Sequence, residues 1–334
     1  MKREEDLMDK DKKPVPWIQD LRVPVVCAPM FLVSGPELVL AACSAGLVGA
    51  FPAPNTRSPE QLDSWMSSIA TQWDALQRSG ARPGPWAVNL ITHSSNARLP
   101  ADLELLAKHR PPVVITALGG PRPVMDVVKS YGGTVIADVT SIRLARKAVD
   151  VGVDGLACIA AGAGGHTGQL SPFAFISAVR EFFDGLIAVG GGISDGAGVA
   201  GAVAAGADLV YMGTRFLATQ ESLAVQAYKQ MVVDCGVEDL VVSASITGTA
   251  ASWLRPSLLA CGLDPDNLST APSRDYNASA NDHVKRWKDT WAAGQGLGAV
   301  RAIESVSDVA QGLSLAYAAA CERLRQRRPA HARG

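Results

Sequence analysis

The sequence predicts a (β/α)8 barrel, the TIM barrel, with a C-terminal helical elaboration, on the strength of three observations. From Val23 onward, short β-branched runs alternate with longer amphipathic stretches, the pattern of parallel strands covered by helices. The runs number eight, which closes a barrel and removes sheet edges, whereas a doubly wound sheet stops near about five or six. Glycine-rich turns follow the last two runs, where such barrels commonly hold phosphate.

The runs lie at residues 24–28, 47–50, 86–90, 113–117, 134–137, 155–159, 186–189 and 209–212. Between them, Ser34-Gly35-Pro36 opens a helix over 37–44, Ser58-Pro59-Glu60 one over 61–77, and Ser141 one over 142–151. After Met212 the pattern changes. Residues 214–233 read as a single helix, and 247–281 are rich in Gly, Pro, Ser and Asn. Apolar residues return at helical spacing over 308–328, which predicts a packing helix. The expected organisation is one domain over 14–334, with 247–300 as a cap inserted over the barrel mouth and 1–13 as a charged tail.

Composition narrows the function. The chain has 334 residues, 48% hydrophobic and 19% charged, enough apolar material for a large core and too little charge for disorder. Lys plus Arg (31) nearly balance Asp plus Glu (32), so no basic field attracts nucleic acid or anionic membrane. The start lacks an apolar leader, and nowhere do about eighteen apolar residues run together. A cytoplasmic enzyme, monomer or homodimer, acting on a small molecule is the expectation. Cys27, Cys43, Cys158, Cys235, Cys261 and Cys321 are scattered without CxxC spacing and read as reduced core residues. Without HxH, HExxH or a carboxylate cluster, no metal is called for.

Active sites of these barrels lie just past the strands' C-terminal ends. Those positions hold Ala28-Pro29-Met30, Asn89, Asp138, Ala163-Gly164-Gly165-His166-Thr167-Gly168, Gly190-Gly191-Gly192 and Met212-Gly213-Thr214. Glycines let backbone N–H groups approach an anion, and two such turns in the final positions favour phosphate binding over simple tight turns. His166 sits on a loop of small residues that cannot shield its ring. Imidazole titrates near about 6.5, so His166 is suited to take a substrate proton or steady an anion; the bland alternative is a loop histidine bonded to backbone. Asn89 can both donate and accept a hydrogen bond, but also reads as a turn residue. Met30 reads equally as core, and Asp195 as a helix cap. His93 reaches either the mouth or its own loop, while His109, His283 and His331 read as surface residues.

Taken together, the chain resembles the nitronate monooxygenase family, also called 2-nitropropane dioxygenases. The resemblance runs through most of the chain. It rests on Ala28-Pro29-Met30, Ala87-Val88-Asn89, Thr140-Ser141, the loop 163–168, Gly191-Gly192-Ile193 with Asp195-Gly196, Gly206-Ala207-Asp208, Met212-Gly213-Thr214-Arg215-Phe216, Thr247-Gly248 and Ala293-Gly294-Gln295-Gly296. The Gly-Gly-His-x-Gly element together with Met-Gly-Thr-Arg-Phe is the specific part.

The resemblance implies FMN on a (β/α)8 barrel. Pro29 and Met30 would contact the isoalloxazine, and Asn89 would touch the FMN. Ala28, Asp138, Gly164, Gly165 and Met212 would line the cofactor, and Gly190, Gly191, Gly192, Gly213 and Thr214 would hold its phosphate. His166 would be catalytic, deprotonating a nitroalkane or steadying a nitronate, with dioxygen as the final electron acceptor and a carbonyl compound and nitrite as products. Two departures stand out. Many relatives carry Lys or His where this chain has Asp138, and some carry Ser where Gly296 stands. The rival reading within the same family is an NAD(P)H-dependent reductase of quinones or enoyl thioesters. A flavin-free phosphate barrel resembling IMP dehydrogenase would need a cysteine in the loop that carries His166, and that loop has none.

Overall fold

The structure is a computed structural model describing residues 15–268 and 288–327. The expected tail 1–13, His283, His331 and the middle of the expected cap lie outside the described residues. Eight parallel strands close a barrel in which each pairs with the next along the chain. They are β1 (Val25–Cys27), β2 (Val48–Pro52), β3 (Trp86–Ile91), β4 (Val113–Ala117), β5 (Thr134–Val139), β6 (Gly155–Ile159), β8 (Leu186–Gly190) and β9 (Leu209–Met212). The ring closes through Val26 opposite Tyr211 and Cys27 opposite Met212.

Strand parity sorts the apolar residues into two cores. Val26, Val48, Ala50, Ala87, Val113, Ile115, Ile136, Ala157, Ala188 and Leu209 fill the barrel. Trp17 and Ile18, from the turn Pro16–Ile18, pack against that set, and the Trp17 indole N–H donates to Thr134 Oγ1 at the start of β5. The strands' opposite faces, with Cys27, Phe51, Val88, Cys158 and Met212, pack beneath the helices. Those helices begin where the sequence signals them. In α2 (Pro59–Arg78) Ser58 Oγ accepts from Gln61 N–H, and in α5 (Ile142–Val149) Ser141 Oγ accepts from Leu144 N–H. For α1 (Pro36–Ser44) the cap is Gly35, and Ser34 is turned to other use.

Two expectations need correction. Residues 214–233 form two helices rather than one, α8 (Thr214–Leu217) and α9 (Gln226–Asp234). The break arises because Thr219 Oγ1 and Ser222 Oγ donate to the carbonyls of Phe216 and Leu217, while Gln220 N–H donates to Glu304. Not all the cysteines are core residues. Cys27, Cys43 and Cys158 are buried, but Cys261 and Cys321 are exposed.

Beyond the barrel, β10 (Leu240–Ser243), β11 (Ala251–Leu254) and the two-residue strand β7 (Gly165–His166) form a small antiparallel sheet. Residues 308–326, expected as a packing helix, belong to the helix Val306–Gln326, which packs on α7 (Gly196–Ala204). Among the described residues no helix is long and apolar enough to cross a membrane.

Candidate active site

Two residues beyond the inward-facing Val26, Ala87, Ile136, Ala157, Ala188 and Leu209 come Ala28, Asn89, Asp138, Ile159, Gly190 and Tyr211. By strand alternation these form the last inward layer, the floor of the mouth. Met212 has the opposite parity. Its side chain is buried among the helices, so only its backbone borders the mouth, where its carbonyl accepts the Ala28 N–H at 3.0 Å.

The floor is polar at one place. Asn89 Nδ2 donates to Asp138 Oδ2 at 3.4 Å. Asp138 Oδ1 and the Tyr211 hydroxyl are both buried and both lack a hydrogen-bond partner among the described residues. They act on one another's ionisation, although their geometry falls short of a formed hydrogen bond. Burial pushes the Asp138 carboxyl from 3.8 up to about 7, with Tyr211 and Asn89 pulling weakly the other way. Near neutral pH the group is therefore as much acid as carboxylate. The Tyr211 hydroxyl is held well above its ordinary range, by burial first and by Asp138 second. Tyr211 escaped the sequence reading because it sits inside an apolar run; its parity with Leu209 was the available signal.

One wall is the loop after β1. Ser34 Oγ accepts from Met30 N–H at 2.9 Å and donates to the Ala28 carbonyl at 3.3 Å. From the turn Ala53–Asn55, Asn55 Oδ1 accepts from Leu32 N–H at 2.8 Å. Its Nδ2 donates to the carbonyls of Met30 at 3.0 Å and Ser34 at 2.7 Å. Leu32 is held at φ 62°, a left-handed conformation costing a leucine about 1 kcal/mol. The Asn55 carboxamide thus fixes the loop that carries Pro29 and Met30, a role with no sequence signature. Asn55→Ala is expected to lower stability by about 2 kcal/mol. Urea denaturation checks this; a loop that keeps its shape unaided would leave the stability unchanged.

The rim is knotted around Gly162. Its carbonyl accepts N–H groups from Gly192 at 3.1 Å and Gln295 at 2.9 Å, tying the turns after β6 and β8 to the segment 293–296. The amide expected of Gly192 for anion binding is therefore already engaged, and the glycine's contribution there is its φ of 67°. A Cβ on Gly164 would lie 2.7 Å from Gly294 N, so these two backbones touch only because neither carries a side chain. Thr214 Oγ1 accepts the Gly294 N–H at 2.9 Å, which leaves its hydroxyl hydrogen free to donate elsewhere. A Cβ on Gly213 would sit 3.5 Å from Met30 Sδ, so the bare backbone of that turn faces the Met30 loop. Gly296 faces Ser194, whose Cβ would lie 2.6 Å from an added side chain, so a serine at 296 has no room here.

The Gly191-Gly192 turn borders a cleft of about 410 Å³ shared with Phe173, Ser194 and Gly198. Asp195 also lines it, its Oδ1 accepting the Gly198 N–H at 2.7 Å as the cap of α7. Arg215, named in the sequence only within a motif, donates through Nη2 to Glu304 at 2.7 Å. Its Nη1 is buried with no hydrogen-bond partner among the described residues.

His166 lies in β7, opposite Ala251 of β11, and Thr167 N–H donates to the Ala250 carbonyl at 3.1 Å. The segment after residue 247 thus holds the loop bearing the imidazole by main-chain pairing. His93 caps its own loop, Nδ1 lying 2.7 Å from Ser95 Oγ. His109, expected at the surface, is largely buried and pairs with Asp63 of α2.

The sequence profile of the nitronate monooxygenase family matches residues 15–331. The chain belongs to the nitronate monooxygenase family. It is an oxidoreductase, and its cofactor is a flavin. A nitronate monooxygenase of Paraburkholderia phytofirmans is 28% identical over 351 residues, covering 91% of this chain and 94% of the relative. The (3aS,4S,5R,7aS)-5-hydroxy-7a-methyl-1-oxo-octahydro-1H-indene-4-carboxyl-CoA dehydrogenase of Rhodococcus jostii is 32% identical over 256 residues, 77% of this chain and 69% of the relative. Among solved structures, a point variant of FabK from Thermotoga maritima has a TM-score of 0.72 at 25% identity, covering 92% of this chain and 97% of that one. The nitroalkane oxidase of Streptomyces ansochromogenes shares the fold with a TM-score of 0.74 at 24% identity, covering 92% and 99%.

Proposed function

We propose that the protein uses FMN to oxidise alkyl nitronates, and nitroalkanes after deprotonation, with dioxygen, giving a carbonyl compound and nitrite. The observation that carries this reading is the position of His166. The sheet β10-β11-β7 holds it in the loop after β6, at the same C-terminal end of the barrel where the strands carry Asn89, Asp138 and Tyr211, in a chain matched by the family almost throughout. The mouth suits FMN in kind. Its floor offers orphaned buried polar atoms for a ring edge, Met30 offers an apolar face, and the turn at Gly213 sets bare backbone opposite Met30.

Asn89, Asp138, Pro29 and Met30 would then meet the ring, while Gly191, Gly213, the Thr214 hydroxyl and the Arg215 guanidinium are the candidates for the phosphate. Bound FMN supplies the two-electron acceptor and the means of passing electrons to dioxygen. The chain's own contribution is proton handling and positioning. As neutral imidazole, His166 takes the proton from the carbon bearing the nitro group; as imidazolium it steadies the nitronate's negative charge. The described residues from 247 onward, 247–268 and 288–300, serve as a cap that positions this loop and keeps water from the ring.

A second reading has an observation of its own in its favour, the 32% identity to a dehydrogenase of a carboxyl-CoA. In that reading the mouth takes an acyl or enoyl thioester, and NAD(P)H supplies electrons where the reaction is a reduction. Anaerobic mixing of the yellow enzyme with each candidate separates the two. Propionate 3-nitronate is expected to bleach the flavin within the turnover time, and NADH or NADPH is expected to leave it yellow. Rapid bleaching by a pyridine nucleotide, with none by the nitronate, would reverse the assignment.

A further inference from the structure

Buried polar atoms without partners are uncommon and cost about 1–3 kcal/mol each. Two of them, Asp138 Oδ1 and the Tyr211 hydroxyl, lie side by side on the inward face at the C-terminal ends of β5 and β9. Asn89 of β3 completes the group through its bond to Asp138 Oδ2. The mouth is where a ligand enters, so a partner for these atoms arrives with the ligand.

We infer that Asn89, Asp138 and Tyr211 form a recognition site for the edge of a heterocyclic ring in which a carbonyl stands beside a ring N–H, and that the site binds this edge with Asp138 protonated. The inference rests on the flavin reading of the mouth and adds the proton to it. A carboxylic acid can give its hydrogen to a ring carbonyl, the carboxamide of Asn89 can give and accept, and so can the phenol. Ionised, Asp138 would set a negative oxygen against that carbonyl in a water-poor site.

The charged and titratable groups around Asp138 do not offset this. Tyr211 faces it from β9 and Cys158 acts on it from β6, while Cys27 of β1 acts through Tyr211. Burial keeps all three in their neutral forms. From β3 comes the neutral Asn89, and β4 contributes no ionisable side chain. His166 lies on the loop that follows β6. Burial carries the carboxyl to about 7, so the linkage falls in the neutral range.

The test is binding of FMN and of riboflavin to flavin-stripped protein, followed by quenching of flavin fluorescence from about pH 6 to about pH 8.5. Riboflavin has no phosphate to titrate. For the unmodified chain, affinity for both flavins is expected to fall up to about tenfold per pH unit above about 7. Asp138→Asn, which keeps a neutral hydrogen-bonding group, should bind nearly independently of pH, at close to the acid-side affinity. Tyr211→Phe should weaken binding at every pH. Equal pH slopes for riboflavin with and without the Asp138 carboxyl would remove Asp138 from the recognition site while leaving the flavin reading intact. Failure of both flavins to bind at any pH would instead bring down the flavin reading, and this inference with it.

Discussion

Replacing His166 with asparagine is expected to cut turnover by about a hundredfold or more while the protein remains yellow. General bases contribute that much when their pKa lies near the working pH, and an asparagine carboxamide cannot take a proton there. The substitution leaves in place the main-chain pairing of Gly165 and His166 with Ser252 and Ala251 that holds β7. Steady-state kinetics with a neutral nitroalkane and with its preformed nitronate give the sharper comparison. A base is needed only for the neutral substrate. The nitroalkane rate should therefore collapse, whereas the nitronate rate should fall by no more than the loss of a cation beside an anion. Equal, small losses for both substrates would take the imidazole out of the mechanism.

The barrel was legible because parallel strands buried on both faces are short, β-branched and bounded by Gly, Pro or charged residues. The eight predicted runs and the eight strands agree to within about two residues at each end. The small sheet was not legible. A two-residue strand such as Gly165–His166 has no periodicity to detect, and its pairing with Ala251 is a long-range event. Nor could a sequence show that Thr219 and Ser222 would end α8 by taking its carbonyls.

At the site, the types of residue were visible but their environments were not. Asp138 reads as an acid at a strand end, and its unusual ionisation exists only once the closed barrel has buried it, against the opposing pull of Tyr211 and Asn89. Likewise Gly192 reads as an anion-binding glycine until Gly162, thirty residues earlier, is seen to take its N–H.

The same burial that shapes Asp138 makes it a liability to the empty protein. Its folded-state pKa of about 7 lies above the unfolded value of 3.8, so the folded state binds the proton more tightly. Stability from this group is intact below about pH 3.8, declines as pH rises toward 7, and is at its lowest above that. At about 1.36 kcal/mol per pH unit, the interval corresponds to an upper value of about 4 kcal/mol. Asp138→Asn removes the titration while nearly preserving shape and the contact with Asn89. Flavin-free Asp138→Asn should therefore outlast the unmodified protein in urea by about 2–4 kcal/mol at pH 8, and the advantage should shrink to near zero at about pH 4. An advantage that does not change with pH would mean that the variant merely repacks the floor. A loss of stability at pH 8 would mean that the carboxylate is compensated in a way its surroundings do not reveal. The expected result would also explain how one residue can burden the empty barrel and serve the filled one: the ligand's carbonyl supplies the acceptor for the proton that burial already favours.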